Sequence, residues 1–370
     1  MAKQRKLKIF HISDANFDSI SGISSVVPAL ILSQNSTNKC EAILISLKRH
    51  NQDFNFKSFY VNSLYRFIQL VKSENPDLLV FHDLYEIKYI ILSLIILFLR
   101  KPFIIVPHGC LHKEAQKHKM IKKIIANHIF WAPMLKFAQA ICYLNSEEKN
   151  NSIICNKRFI IVPNGIEKIN YLTKEQDSSK LTKIIFFGRF DIHHKGLDLM
   201  FLAFSKIKSE LMERGVKLHL YGGSIKGGKQ TSSDELQELI IKYDLNDFVV
   251  INAPVFGKQK ELILSRSDLM ILTSRYEGMP MSILEALSFG VPVIITKNTN
   301  MAGIINEFQC GWVLSESVDH WPSEIITSID LFKKNRYFYI ENSYKCASNF
   351  LWSKIGEDSI LAYQTLIKKA

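Results

Sequence analysis

Residues Leu269 to Thr296 read LMILTSRYEGMPMSILEALSFGVPVIIT. The stretch opens on one short apolar run, Leu269–Leu272, and closes on another, Val293–Thr296, each the length of a buried strand. Between them lie a polar loop carrying Glu277 and Gly278 and a largely apolar helix, Met281–Phe289. Strand, loop, helix and strand in that order make one turn of a parallel sheet covered by helices. The same alternation extends outward. Upstream, strands at Lys183–Phe187, Val216–Tyr221 and Phe248–Ile251 alternate with helices at Leu197–Leu211, Asp234–Tyr243 and Lys258–Arg266. Downstream come a short helix at 301–308, a strand at Gly311–Leu314 and an amphipathic helix from about Gly356 to Lys369.

The first half repeats the pattern. Strands are expected at Lys8–Ser13, Ala42–Leu47, Leu78–His82, Phe103–Pro107, Ala140–Leu144 and Phe159–Val162. Helices are expected at Ile23–Leu32, Ser63–Ser73, Ile87–Leu99 and Lys117–Phe130. The polar, aperiodic stretch Tyr171–Lys180 (YLTKEQDSSK) reads as a linker, so the chain is expected to form two tandem α/β domains, 1–172 and 180–345. Ligands of such sheets sit beyond the strand C-termini, where His82, His108 and Asn164 fall. A cleft between the two sets of strand ends is the expected active site.

Composition narrows the class. The chain has 370 residues, 47% hydrophobic and 22% charged, which is globular and excludes disorder, coiled coil and collagen. Cys40, Cys110, Cys142, Cys155, Cys310 and Cys346 form no CxxC pair and no disulfide framework, which suits a reducing compartment. No signal-peptide apolar region precedes Leu7–Ile12. The most apolar run, Tyr89–Leu99, falls short of the ~20 residues that span a bilayer and reads as a helix buried against the sheet, an element dipping into the membrane surface being the alternative. The net charge of +12 is uneven: residues 1–170 hold 23 Lys/Arg against 12 Asp/Glu, and residues 171–370 hold 24 against 23. The first half is therefore expected to face something anionic: nucleic acid, phospholipid or a phosphorylated substrate.

Several motifs carry chemistry. In Gly188-Arg-Phe-Asp-Ile-His-His-Lys-Gly196, a guanidinium and a lysine flank a strand-to-helix turn, a pattern suited to a phosphate pair and also common in ordinary βα loops. Glu277 can accept hydrogen bonds from sugar hydroxyls and Glu285 from a second diol such as a ribose; the backbone from Gly278 through Met279, Pro280 and Met281 to Ser282 can meet phosphate oxygens. Glu285 sits among Ile283, Leu284, Ala286 and Leu287, so its charge needs a partner. Gly223–Lys229 (GSIKGGK) nearly matches a phosphate loop, but Gln230 stands where the magnesium-binding hydroxyl belongs, so a glycine-rich turn or a mobile loop bearing Lys226 and Lys229 is expected instead. A neutral His108 at a strand end can hydrogen-bond a substrate hydroxyl. No HExxH or DxD occurs, so no metal site is expected. Lys113, Lys117, Lys119, Lys122 and Lys123, with Ile121, Ile124, Ile125 and Ile129 at helical spacing, form either a basic membrane-surface helix or a solvated lysine face.

These residues together resemble retaining glycosyltransferases of the GT-B fold, family 4. The resemblance covers nearly the whole chain and is strongest from about 184 to 314. It rests on Gly188-Arg189…Lys195-Gly196, Glu277-x7-Glu285 with its Gly278-Met-Pro start, Phe289-Gly290-Val-Pro292-Val293, Pro163-Asn164-Gly165-Ile166 and His108-Gly109. The resemblance implies two Rossmann-like domains facing across a cleft, with a closing segment, 346–370, whose helix returns to the first domain. It implies a nucleotide-diphosphate-sugar donor, a UDP-sugar being favoured, held mainly by the second domain. Arg189 and Lys195 would hold the diphosphate, Glu277 the donor sugar and Glu285 the ribose. His108 would approach the sugar from the first domain, and Gly22, in a loop where Ser21 replaces a common glycine, would approach the diphosphate. No cofactor or metal would be required. The acceptor would be a glycan or polyprenyl-linked saccharide, reached by peripheral contact of the basic first half with the cytoplasmic face of the membrane. The other readings are a nucleotide-sugar-binding protein without transfer, exposed by the absence of turnover, and a nucleic-acid binder, whose mark would be salt-sensitive duplex binding.

Overall fold

The computed structural model describes residues 5–19, 21–117, 127, 131–154, 157–171, 183–224, 226–227 and 230–367. The chain divides into two units, Met1–Glu167 with Phe350–Ala370, and Lys168–Asn349. In the first, β1 (Leu7–Ser13), β2 (Cys40–Ser46), β3 (Ser58–Tyr60), β4 (Leu78–His82), β5 (Phe103–Val106), β6 (Ala140–Tyr143) and β7 (Phe159–Ile161) form one sheet. Its order is β3-β2-β1-β4-β5-β6-β7, and every pairing is parallel. The run direction reverses between β1 and β4, the switch point where such sheets leave a crevice for ligands. Alternate strand residues are buried on opposite faces, which is why these strands read as unbroken apolar runs. Phe10, Ile12, Phe81 and Ile105 join Phe67, Tyr89, Leu92 and Ile96 of the helices Leu64–Glu74 and Ile87–Phe98 in one core.

The helix Gly22–Ser36 packs on the closing helix Trp352–Ile367, which lies in the first unit, as the family resemblance implied. The crossing is tight: a Cβ on Gly356 would stand 2.1 Å from Ser33 Oγ, so only glycine fits there. The bridge between Ile166 and Leu351 and the bond from Trp352 N to Ile166 O at 2.9 Å fix where the returning chain enters.

The second unit holds β8 (Lys183–Phe187), β9 (Lys217–Tyr221), a hairpin of β10 (Lys226–Gly227) and β11 (Gln230–Thr231), β12 (Val249–Asn252), β13 (Leu269–Leu272), β14 (Val293–Thr296) and β15 (Gly311–Leu314). The main sheet, β12-β9-β8-β13-β14-β15, is wholly parallel, with its switch point between β8 and β13.

The structure changes one expectation and adds to others. The helix Ile87–Phe98 is not buried all round: Tyr89, Leu92, Ser93 and Ile96 face the core, while Ile87 (74%), Ile91, Leu94 and Phe98 (88%) are exposed. The glycine-rich stretch after β9 forms the β10–β11 hairpin, and residues 225, 228 and 229 lie outside the described set. Helices Trp321–Lys334 and Arg336–Ser348, unread in the sequence, cover the second unit; the latter buries Ser343 alongside Ile340 and Tyr344, so no apolar stripe marks it. Of the expected helix 117–130, only Lys117 and Asn127 are described, and Lys117 ends a short helix, Lys113–Lys117. Lys119, Lys122, Lys123, Ile121, Ile124, Ile125 and Ile129, like residues 172–180 of the linker, fall outside the described residues.

Candidate functional site

The switch point of the second sheet carries the loop after β8 and the loop after β13. Lys195 ends the short helix Ile192–Lys195, and Glu277 follows β13 by five residues. Lys195 Nζ lies 2.5 Å from Glu277 Oε1, and each side chain is only 12% exposed. Ser274 Oγ donates to the same Oε1 at 2.7 Å. Burial pushes the Glu277 carboxyl up, but the positive field of Lys195 and then of His194, with these hydrogen bonds, holds it below the usual range.

Residues assigned no role of their own by the sequence motifs build this geometry. Arg275 binds Asp198 through two 2.7 Å bonds and donates to His193 O at 2.7 Å, while its backbone N–H bonds His194 O at 2.8 Å. The His194 ring stacks on Tyr276 with centroids 4.2 Å apart, and its Nε2 lies 2.8 Å from Tyr276 O. Asp191 caps the short helix by accepting from His194 N at 3.0 Å; the His194 side chain, 3.7 Å from Oδ2, holds its carboxyl down at about 2. Gly196 has φ +64°, and a Cβ there would lie 2.2 Å from Thr273 O, so the two loops meet across a position only glycine can fill.

Gly188 closes β8, its N–H bonding Tyr221 O at 3.1 Å, and Arg189 beside it is exposed. Gly278, Met279 and Pro280 are buried and lead into the helix Met281–Ser288, whose N-terminus no side chain caps. Such a terminus presents unpaired backbone N–H groups and a partial positive charge to an anion. Glu285, one turn in, does have the partner its apolar surroundings required: Lys260 Nζ, at 2.5 Å, which also lies 5.2 Å over the Phe187 ring.

In the first unit, His108 and Gly109 follow β5 in the left-handed region, with φ 49° and 83°. Glu148 is buried and holds this turn, accepting from Gly109 N and Leu144 N at 2.6 Å each; burial nevertheless pushes its carboxyl up to about 7. His108 Nε2 lies 3.0 Å from His82 Nδ1, and His82 Nε2 lies 2.9 Å from His11 Nδ1. Burial lowers His108 and His11 to about 4 and His82 well below its ordinary value, so all three imidazoles are neutral at pH 7. Gly22 opens the helix Gly22–Ser36 with nothing within 4 Å of its Cβ position. Ser21, the residue in place of a glycine, is that helix's N-cap and forms a capping box with Ser24. Among the described residues no three His, Cys, Asp or Glu side chains gather as a metal site would require.

The geometry therefore brings Lys195 and Glu277 together and places Arg189, Gly278 and Glu285 on the same rim of the second sheet. The profile of the family described as "Glycosyl transferases group 1" matches residues 168–345, the segment that builds this rim. That segment is a group 1 glycosyltransferase domain. It is 26% identical over 205 residues to an uncharacterized glycosyltransferase of Methanocaldococcus jannaschii, covering 54% of this chain and 48% of that one. It is 18% identical over 211 residues to the MMP α-(1→4)-mannosyltransferase of Mycolicibacterium hassiacum, covering 56% and 49%. The chain thus spans about half the length of these curated relatives. Among solved structures, Anabaena HepE in complex with UDP and glucose superposes with a TM-score of 0.72 at 16% identity, over 97% of this chain and 100% of that one. That likeness establishes the GT-B fold. No helix of the described residues is long and apolar enough to cross a membrane.

Proposed function

We propose that this chain is a retaining hexosyltransferase that uses a nucleotide-diphosphate sugar, a UDP-sugar being favoured, and needs no metal or other cofactor. The observation that carries the reading is the buried Lys195–Glu277 pair at the switch point of the second sheet, beside an uncapped helix N-terminus. In the proposal the donor diphosphate takes Lys195, Arg189 and the N–H groups after Gly278; Glu277 takes sugar hydroxyls and Glu285 the ribose. His108 serves as hydrogen-bond acceptor for a donor-sugar hydroxyl, and Gly22 leaves room for the diphosphate. Cleavage of the bond from C1 to the phosphate oxygen puts negative charge on the diphosphate, which preorganised Lys195 and Arg189 stabilise. The acceptor hydroxyl oxygen bonds C1 on the face the diphosphate leaves, and its proton passes to the departing phosphate oxygen. That balance yields retention without a protein nucleophile.

The same proposal takes a glycan or polyprenyl-linked saccharide as acceptor, with peripheral contact at the inner face of the cell membrane. The exposed ridge of Ile87, Ile91, Leu94 and Phe98, followed by Arg100 and Lys101, supports membrane contact: apolar side chains enter the acyl boundary and cations meet anionic headgroups. Lys117 is paired with Glu114 at 2.7 Å and is a weaker candidate. The deciding experiment is a panel of UDP-glucose, UDP-galactose, UDP-N-acetylglucosamine and GDP-mannose, followed by thermal shift and donor hydrolysis. HepE's complex with UDP and glucose argues for the uridine donors, and the mannosyltransferase likeness makes GDP-mannose the competing arm. The reading expects one donor to stabilise the protein and turn over, with both effects lost in Lys195→Ala. Stabilisation without turnover in the presence of saccharide acceptors sinks the transferase in favour of a binding protein. No response to any donor sinks both.

A further inference from the structure

His108, His82 and His11 of the first unit form an unbroken hydrogen-bonded line with a defined end. Ser359 Oγ, on the closing helix, donates to Gly356 O at 2.8 Å and so accepts from Gln34 Nε2 at 2.9 Å. That fixes the Gln34 amide with Oε1 turned to His11, whose Nε2 lies 2.8 Å away. An amide oxygen only accepts, so His11 carries its proton on Nε2 and leaves Nδ1 bare. His82 Nε2 then donates to His11 Nδ1 at 2.9 Å, and His108 Nε2 donates to His82 Nδ1 at 3.0 Å. Each neutral imidazole has one N–H, so the sequence of donors has one outcome: Nδ1 of His108 is an acceptor. Gln34, His11 and His82 are at most 1% exposed and Ser359 is 0%, so water does not compete for these bonds.

We infer that Gln34, anchored by Ser359, is a positioning residue that sets the tautomer of His108 through His11 and His82. Running the line backwards would require the Gln34 amide to flip and the Ser359 hydroxyl to leave Gly356 O; His108 would then present an N–H. The bond from Ser359 to Gly356 O favours the first state, in which the Gln34 amide also meets the Tyr363 hydroxyl. The assignment rests on the proposed role of His108 for its catalytic consequence, but not for its existence.

Imidazole 15N spectroscopy of the full-length, 15N-histidine-labelled protein reads the tautomers directly. The wild type is expected to show His108 and His11 protonated on Nε2 and bare on Nδ1. In Gln34→Met the His108 Nδ1 and Nε2 shifts are expected to move towards each other as both tautomers populate; Ser359→Ala, a smaller change, is expected to move them in the same direction. A wild-type His108 protonated on Nδ1, or unchanged His108 shifts in a folded Gln34→Met or Ser359→Ala, overturns the inference. Should neither variant fold, the wild-type spectrum alone decides the direction of the line. UDP-glucose hydrolysis by the same proteins separates this from the functional reading. A kcat loss of about 10-fold or more that follows the tautomer shift, with KM little changed, supports both. A tautomer shift with unaltered turnover leaves the line standing and counts against His108 as a sugar contact.

Discussion

Replacing Lys195 with methionine removes the charge from the buried pair while keeping most of the side-chain volume. It leaves Glu277, 12% exposed, with the Ser274 hydroxyl at 2.7 Å as its remaining side-chain hydrogen-bond donor. Breaking a buried ion pair costs about 3–5 kcal/mol, because the surviving charge stays desolvated. One retained hydrogen bond offsets about 1 kcal/mol of that, so a loss of roughly 2–4 kcal/mol is expected for Lys195→Met in the ligand-free protein. At ~2–4 °C per kcal/mol for a domain of ~150–250 residues, Tm falls by roughly 4–16 °C. Thermal and urea unfolding of wild type, Lys195→Met, Glu277→Gln and the double variant form the assay, and a coupling of about 1–3 kcal/mol is expected for residues in direct contact. Acid supplies the sign. Lys195 and His194 hold the Glu277 carboxyl below its ordinary value, so its stabilisation is present above the unfolded carboxylate value of ~4.3 and is lost as pH falls through the lower folded value. The deficit of Lys195→Met relative to wild type therefore shrinks in acid. A coupling under ~0.5 kcal/mol, the additivity of independent sites, refutes the claim that the pair holds the two loops in the free protein. So does a deficit that does not change between neutral pH and acid. Donor turnover by Lys195→Met falls about 100-fold or more if the lysine stabilises the departing diphosphate.

Gly196→Ala puts a Cβ 2.2 Å from Thr273 O at φ +64°, and about 3 kcal/mol or more of stability is expected to go, read as a lower urea midpoint. Glu148 is pushed up to about 7, so its contribution is fully present below the unfolded value and is lost as pH rises through about 7; wild type loses roughly 3 kcal/mol between pH 4 and pH 8 from this group, and Glu148→Gln lacks that slope. Vesicles of phosphatidylglycerol and phosphatidylcholine are expected to sediment the wild type, with binding down about tenfold or more in Ile91→Asp/Phe98→Asp; equal sedimentation removes the helix Ile87–Phe98 from the membrane reading. Treatment with EDTA is expected to leave donor turnover unchanged, and loss restored by Mg2+ or Mn2+ contradicts cation stabilisation by Arg189 and Lys195 alone.

The repeated strand–helix pattern was legible because each parallel strand is buried on both faces and its run announces itself locally. Leu269–Leu272 and Val293–Thr296 appear in the structure with the bounds their apolar runs suggest. Pairings between distant residues were not legible, since the order of the strands creates them. His11 and His82 meet because β1 lies against β4, Ser13 opposite His82, across a separation of 71 residues. Lys260 reaches Glu285, and Arg275 reaches Asp198, by the same logic in the second sheet. For Glu285 a signal did exist: a charge on an apolar helix demanded a partner, although nothing in the chain named Lys260. The helix Ile87–Phe98 failed in the opposite way. With apolar residues nearly all round, it has no polar stripe to show which face leaves the core, so burial of the whole helix was the simplest reading. The sheet has room for one face only, occupied by Tyr89, Leu92 and Ile96. The surplus apolar residues that hid the exposed face are therefore a demand in themselves. A solvated face would tolerate lysine or glutamate at positions 87, 91, 94 and 98, and instead Ile, Ile, Leu and Phe stand there, beside Arg100 and Lys101.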